Sequence, residues 1–229
     1  TPKTQGIIIN TPSNPTGNVS SKKVLEEIAD IAIENDLYVF SDEAYEKIVY
    51  DGKKSISIAS LNGMEDYAVT FQTFSKTYAM CGFRLGYCVG NKKLIDDMTK
   101  VHHYVTLSAP HVSQIVGIKA LSLSNRYIDS MVKEYKRRRD FIVRRLNELG
   151  MPTVNPNGAF YTFSNIQKYS NNSSTFAHQI LDKAKVAVIP GTEFGSYGKG
   201  YVRCSFATQY EKIEEAMRRI EKLLRRKWS

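Results

Sequence analysis

Apolar positions along the chain fall alternately into short unbroken runs and longer stretches with a spacing of three to four, the signature of strands and helices taken in turn. Gly6-Ile-Ile-Ile-Asn10 predicts a strand, ended by Thr11-Pro-Ser-Asn-Pro-Thr-Gly17, where two prolines and a glycine make a rigid turn. From Ser20 or Ser21, either a fitting N-cap, a helix runs to about Asn35 with Val24, Leu25, Ile28 and Ile31 on one face. Leu37 to Ser41 is the next strand, Tyr67 to Phe74 a buried one, and Arg84 to Gly90 a further one. Strand, helix, strand, connection, strand is the grammar of a parallel α/β sheet.

The pattern then turns helical. Asn91 caps a helix to about His102, and Pro110 opens another to about Leu123. A long helix from Arg126 to Leu149 sets Ile128, Met131, Tyr135, Ile142, Leu146 and Leu149 along one stripe, and Gly150 stops it. Beyond Pro152 two short strands are expected, Ala159 to Phe163 and Tyr201 to Phe206, with a helix from Thr175 to Lys185 and the apolar Val186 to Ile189 between them. A basic helix from Tyr210 to Lys227 closes the chain. The expected organisation is therefore two domains. Residues 1–125 form part of an α/β domain with a mainly parallel sheet and flanking helices, and residues 126–229 a small α+β domain entered through the long helix.

Composition narrows the function classes. At 229 residues and 42% hydrophobic, the chain can bury a substantial core. No run of 18 apolar residues exists, so no membrane span or membrane partner is expected. Cys81, Cys88 and Cys204 form no CxxC and cannot all pair, which fits a reducing, cytoplasmic compartment. The net charge of +9 gathers in Lys133 to Arg145 and Arg218 to Lys227. Both blocks lie on helices with regular apolar positions, so they read as solvated helix faces, not as a nucleic-acid surface. His102 and His103 are adjacent on a helix and point apart, so no metal site is expected.

The chemistry-bearing residues share one topological address. Asn14, Asp42 and Lys76 each lie just past the carboxyl end of a different strand, where ligands of open α/β sheets sit. Ser75 and Arg84 suit a phosphate, Arg84 offering a planar fork of donors. Lys76 is a candidate Schiff-base nucleophile, a task lysine performs with aldehyde cofactors. Singly, each has a plainer reading: Asn14 as a turn residue, Asp42 as a cap or ion-pair partner, Tyr45 as core, Arg203 as an exposed strand charge.

Four motifs in order, Asn14-Pro-Thr-Gly17, Ser41-Asp-Glu-Ala-Tyr45, Ser75-Lys76 with Arg84-Leu-Gly86, and Val202-Arg-Cys-Ser-Phe-Ala207, resemble the class I/II pyridoxal-phosphate aminotransferases of fold type I. The resemblance covers essentially the whole chain. It implies that Lys76 holds pyridoxal 5'-phosphate covalently and moves the substrate's Cα proton, and that Asp42 pairs with the pyridine nitrogen. Asn14 and Tyr45 would bond the ring's phenolic oxygen, Ser75 and Arg84 the phosphate, and Arg203 the substrate α-carboxylate. The partners implied are an amino acid and a 2-oxo acid, of the aspartate/alanine/aromatic branch, and a second copy of the chain in a homodimer. A C–S β-lyase on the same fold shares every cofactor residue, and a ligand-sensing domain of a transcription regulator is the alternative outside enzymes.

The sequence also departs from the family. Thr73 stands where glycine or serine is usual, and Ala159 replaces a usual glycine. The segment that family members carry before the Asn-Pro-Thr-Gly turn is not here, so the chain is expected to be a fragment that binds its cofactor weakly and turns over little.

Overall fold

The computed structural model describes residues 1–227. Its contacts divide the chain into two compact units, one of residues 1–13 and 19–130, the other of residues 14–18 and 131–229.

The first unit is built on a four-stranded sheet in the order β1 (Gly6–Asn10), β2 (Tyr38–Asp42), β3 (Ala68–Thr73), β4 (Gly86–Gly90). β1, β2 and β3 run parallel, while β4 returns antiparallel to β3 with Thr73 opposite Gly86. The return is tight because no long crossover separates β3 from β4. Only the single helical turn α2 (Phe74–Thr77) and a 3-10 turn (Cys81–Phe83) intervene, and Arg84 closes the second turn in the left-handed region at φ 52°. A side chain at position 86 would meet Gln72 O at 2.7 Å, so Gly86 is what lets β4 start there.

One sheet face is covered by α1 (Lys22–Glu34), whose N-cap Ser21 accepts from Val24 N at 3.3 Å. Leu25, Ala29 and Ala32 pack on Val39, Ile58, Met64 and Ala68. Of the stripe that the large apolar residues mark, Leu25 is buried and Ile28 packs against this core, but the buried face is rotated away from the rest. Val24 and Ile31 are 44% and 51% exposed, and two alanines take their place because a small side chain allows α1 close to the sheet. On the other face Ile8 is 81% exposed. The helices α3 (Lys92–Thr106) and α4 (His111–Leu121) complete the unit. Ala120 of α4 joins Phe74, Met80 and Leu85 in a second buried cluster, which seats the turn between β3 and β4.

In the second unit the long helix α5 (Arg126–Glu148), most of which lies here, is followed by β5 (Tyr161–Asn165), α6 (Ser173–Gln179), β6 (Ile189–Pro190), β7 (Tyr201–Ser205) and α7 (Tyr210–Lys227). The strands form an antiparallel sheet in the order β5-β7-β6. β5 begins two residues later than the apolar run predicts. Ala159 sits at φ 56°, a left-handed conformation that no strand accommodates. α6 ends early for a similar reason: the chain passes through a π turn (Ile180–Ala184) and stops at Lys185, also left-handed at φ 56°.

α7 buries Ile213, Met217, Ile220 and Leu224, and α5 buries Ile142 and Leu146. The basic block of α5 is solvated only in part. Arg137 and Arg138 both bind Glu134 and hold its carboxyl down to about 2, but Arg139 is only 1% exposed. The expected solvated face fails at that position, which falls inside the apolar stripe between Tyr135 and Ile142.

The rotated register of α1 is directly testable. Leu25→Ala should cost about 2–5 kcal/mol, read as a lower urea midpoint for the first unit. Val24→Ala should stay within about 0.5 kcal/mol of the parent.

Candidate active site

In the first unit the site grows from the carboxyl ends of β2 and β3. Side chains of a strand alternate between faces, so Val39, Ser41 and Glu43 point into the protein while Phe40 and Asp42 point to the other side. Asp42 lines an open cavity of about 630 Å³ with Ile8, Phe40, Ala44, Phe71, Gln72 and Thr73. Its Oδ1 accepts from Ala44 N at 3.1 Å, an Asx turn that fixes the carboxylate at the strand end. Asn10 Nδ2 donates to Asp42 O at 3.1 Å and ties β1 to the same point.

Thr73, the last residue of β3, shares that cavity and begins the turn that carries the lysine. Its Oγ1 accepts from Ser75 N at 3.1 Å, capping α2. This is a task serine could perform equally, which makes the threonine a mild departure. Phe74 is buried, and Ser75 and Lys76 are half-buried beyond it. Arg84 is exposed, with Nη1 donating to Cys81 O at 3.0 Å. Tyr45 is 5% exposed. Of these residues the cavity wall includes Asp42 but not Tyr45, Ser75, Lys76 or Arg84.

A carboxyl that motif reasoning passes over lies beside Asp42. Glu43 is 2% exposed and accepts at Oε1 from Ser57 Oγ at 2.7 Å and Ser41 Oγ at 3.0 Å. Burial pushes this carboxyl above the ordinary value of 4.5, against the pull of the two hydroxyls. The signal was present in the alternation: with Val39 and Ser41 inward, Glu43 follows.

The second unit holds Asn14 and Arg203. Arg203 Nη1 donates to Asn14 Oδ1 at 2.8 Å. The guanidinium packs on two rings, with its carbon 4.4 Å from the Tyr161 centroid and 4.8 Å from that of Phe194. Its Nε is buried with no hydrogen-bond partner among the described residues. A planar fork with one N–H bonded to an amide and its Nε unpaired among the described residues is suited to a carboxylate. The stacking role of Tyr161 and Phe194 has no counterpart in a short motif, because the two residues are far apart in sequence. Asn14 is placed by Gly17, at φ 68°, whose O accepts from Asn157 N at 3.0 Å and Gly158 N at 2.8 Å.

Comparison with known proteins gives one family. Residues 1–220 match the model for aminotransferase class I and II. The chain is similar to aromatic-amino-acid aminotransferase 2 of Thermococcus litoralis (49% identical, over 99% of this chain and 59% of the relative). It is likewise similar to an aspartate aminotransferase of Pyrococcus abyssi (50% identical, over 99% and 59%). Among solved structures, an aromatic aminotransferase of Pyrococcus horikoshii OT3 superposes with a TM-score of 0.95 at 47% identity, covering 99% of this chain and 61% of that one. The chain thus spans about 59% of the length of the curated relatives it matches. The β-lyase and regulator alternatives gain no support from these names.

Two measurements check the geometry. With Glu43 raised in the folded state, its contribution to stability is complete below the unfolded value of 4.5 and is lost as pH climbs through the folded one. Glu43→Gln, neutral throughout, should remove that loss, so its urea midpoint should gain on the parent's as pH rises above the ordinary carboxyl value of 4.5. Gly17→Ala would place a Cβ 2.3 Å from Pro156 Cβ at a left-handed φ, and should lower the midpoint by on the order of 1–3 kcal/mol.

Proposed function

We propose, from the premise that the chain belongs to the aminotransferase class I and II family, that it carries the chemical centre of a pyridoxal-phosphate-dependent aminotransferase. The reaction moves an amino group between an L-amino acid of aspartate, alanine or aromatic type and a 2-oxo acid, in two half-reactions. The observation that carries this reading is the pairing of β2 with β3. Parallel strands put their carboxyl ends at one edge, so Asp42 and the turn bearing Lys76 leave the sheet on the same side.

Pyridoxal phosphate, when bound, supplies an aldehyde for the amine and a ring that accepts the electron pair left at Cα. The residues of the chain do the rest. Asp42, at the strand end beside Ile8, Phe40 and Phe71, would pair with the protonated ring nitrogen. Its Asx turn holds the carboxylate so that no reorientation is needed. Lys76 would hold the cofactor through Nζ, and the same amine would serve as the base that takes the Cα proton and returns it. The Ser75 hydroxyl and the Arg84 guanidinium bind the phosphate.

Asn14, whose Oδ1 accepts from Arg203, and the Tyr45 hydroxyl would bond the phenolic oxygen. Arg203, stacked and oriented as described, takes the substrate α-carboxylate. The apolar residues left outward on α3 and α4, such as Tyr104 (95% exposed), Val112 (68%) and Ile118 (72%), support a homodimer. Three unpaired cysteines fit a reducing cytoplasm. Among the described residues no helix is long and apolar enough to cross a membrane.

The test is a single half-reaction, which needs one chemical event per site. The chain loaded with pyridoxal phosphate and mixed with L-aspartate or L-phenylalanine should release the matching 2-oxo acid in proportion to sites. Asp42→Ala should slow that release by roughly 10²-fold or more, and Arg203→Lys should raise the amino acid concentration required by about tenfold. Ammonia and pyruvate from a β-substituted substrate, with no transamination, would overturn the assignment.

A further inference from the structure

Arg139 heads the wholly buried side chains by size among the described residues, and no step above uses it. It sits on α5 where the apolar stripe calls for a Leu or Met. Burying a guanidinium costs several kcal/mol unless it is paired and bonded, so its partners are informative. Nε and Nη2 donate to Asp140 Oδ1 at 2.9 and 2.6 Å, and Nη1 donates to Pro156 O at 3.1 Å. Asp140 is half-exposed and also holds Lys136 at 3.0 Å, so the ion pair opens towards solvent while Nη1 reaches inward to backbone.

That backbone leads to the substrate arginine within the same unit. Pro156 packs on Gly17 so closely that a Cβ there would lie 2.3 Å from its own. Asn157 N and Gly158 N both donate to Gly17 O, at 3.0 and 2.8 Å. Gly17 closes the turn that begins at Asn14, and Asn14 Oδ1 orients Arg203 Nη1 at 2.8 Å. One buried side chain, one backbone segment, one turn and one amide thus stand in series behind the carboxylate-binding guanidinium.

We propose that Arg139 is a positioning residue for Arg203, acting through Pro156–Gly158 and the Asn14–Gly17 turn, and that it sets affinity for the substrate's α-carboxylate without touching substrate. The inference rests on the aminotransferase reading above. It also explains why an arginine fills a position that apolar packing alone could occupy. A methionine leaves Pro156 O without this donor, and a lysine, a point charge without the planar fork, cannot hold Asp140 at two nitrogens and Pro156 at a third.

The experiment measures the apparent affinity of the cofactor-loaded chain for L-aspartate, and for propylamine as a carboxylate-free control, in Arg139→Lys. Cofactor affinity and the urea midpoint are recorded alongside. Aspartate should bind roughly tenfold more weakly, with propylamine affinity unchanged. In an Asn14→Ala background Arg139→Lys should have no further effect on aspartate, since the relay is already cut. In cofactor-free protein the Arg203 Nε–H resonance, assigned by its loss in Arg203→Lys, should shift in Arg139→Lys. Asp140→Asn, at a half-exposed position, loosens the same guanidinium and should show a smaller loss of the same pattern. It carries the test if Arg139→Lys does not fold.

Equal losses for aspartate and propylamine, or full additivity with Asn14→Ala, would overturn the proposal and leave Arg139 a packing residue. If Arg203→Lys itself leaves aspartate affinity unchanged, the carboxylate role of Arg203 falls first, and this inference with it.

Discussion

Backbone hydrogen bonds hold β2 and β3 parallel with Asp42 opposite Phe71, and the chemistry assigned to the first unit depends on that register. A slip of one residue would turn Asp42 into the α1-covered core and bring Ser41 or Glu43 to the open face. The register is protected from both sides. Val39 and Ala68 are locked into the core beneath α1, and Glu43 bonds to the hydroxyls of Ser41 and Ser57 at the strand end. Stability and function therefore share residues: the core side of each strand determines what its other side presents.

The second unit solves a different problem, which is to hold a flexible cation still. Arginine loses rotamer freedom when it is ordered, and here that loss is met by two aromatic faces and one amide acceptor on Arg203. The Cys204 thiol next to it in β7 is pushed up to about 11 by burial, so it stays a neutral packing group and does not compete for the cation as a thiolate. The amide that orients Arg203 comes from residues 14–18, which lie between β1 and α1 in sequence but group with the second unit by contact.

Much of this was legible beforehand, for identifiable reasons. Strands and helices follow from periodicity, and Ser21 and Asn91 by their capping side chains, Pro110 and Gly150 by their backbone, mark boundaries. Three things were not legible. The full buried face of α1 is hidden because alanine carries little hydrophobic weight yet packs best where a helix must come close. The start of β5 is hidden because nothing in the identity of Ala159 announces a left-handed backbone. The burial of Arg139 is hidden because a charged residue in a basic run has the pattern of a solvated face, and its backbone partner, Pro156, is not local in sequence. Of the site, the motif residues could be named, but not the groups that hold them: Glu43, Tyr161, Phe194 and the Pro156–Gly158 segment act through contacts between residues distant in sequence.

The central claim is that Lys76 is the residue that holds the cofactor. The most direct measurement is borohydride reduction of the protein after addition of pyridoxal phosphate, followed by peptide mapping of the fixed group. A single label at Lys76, lost in Lys76→Ala, is the result this account predicts. Label spread over surface lysines, or retained at the same stoichiometry in Lys76→Ala, would contradict it.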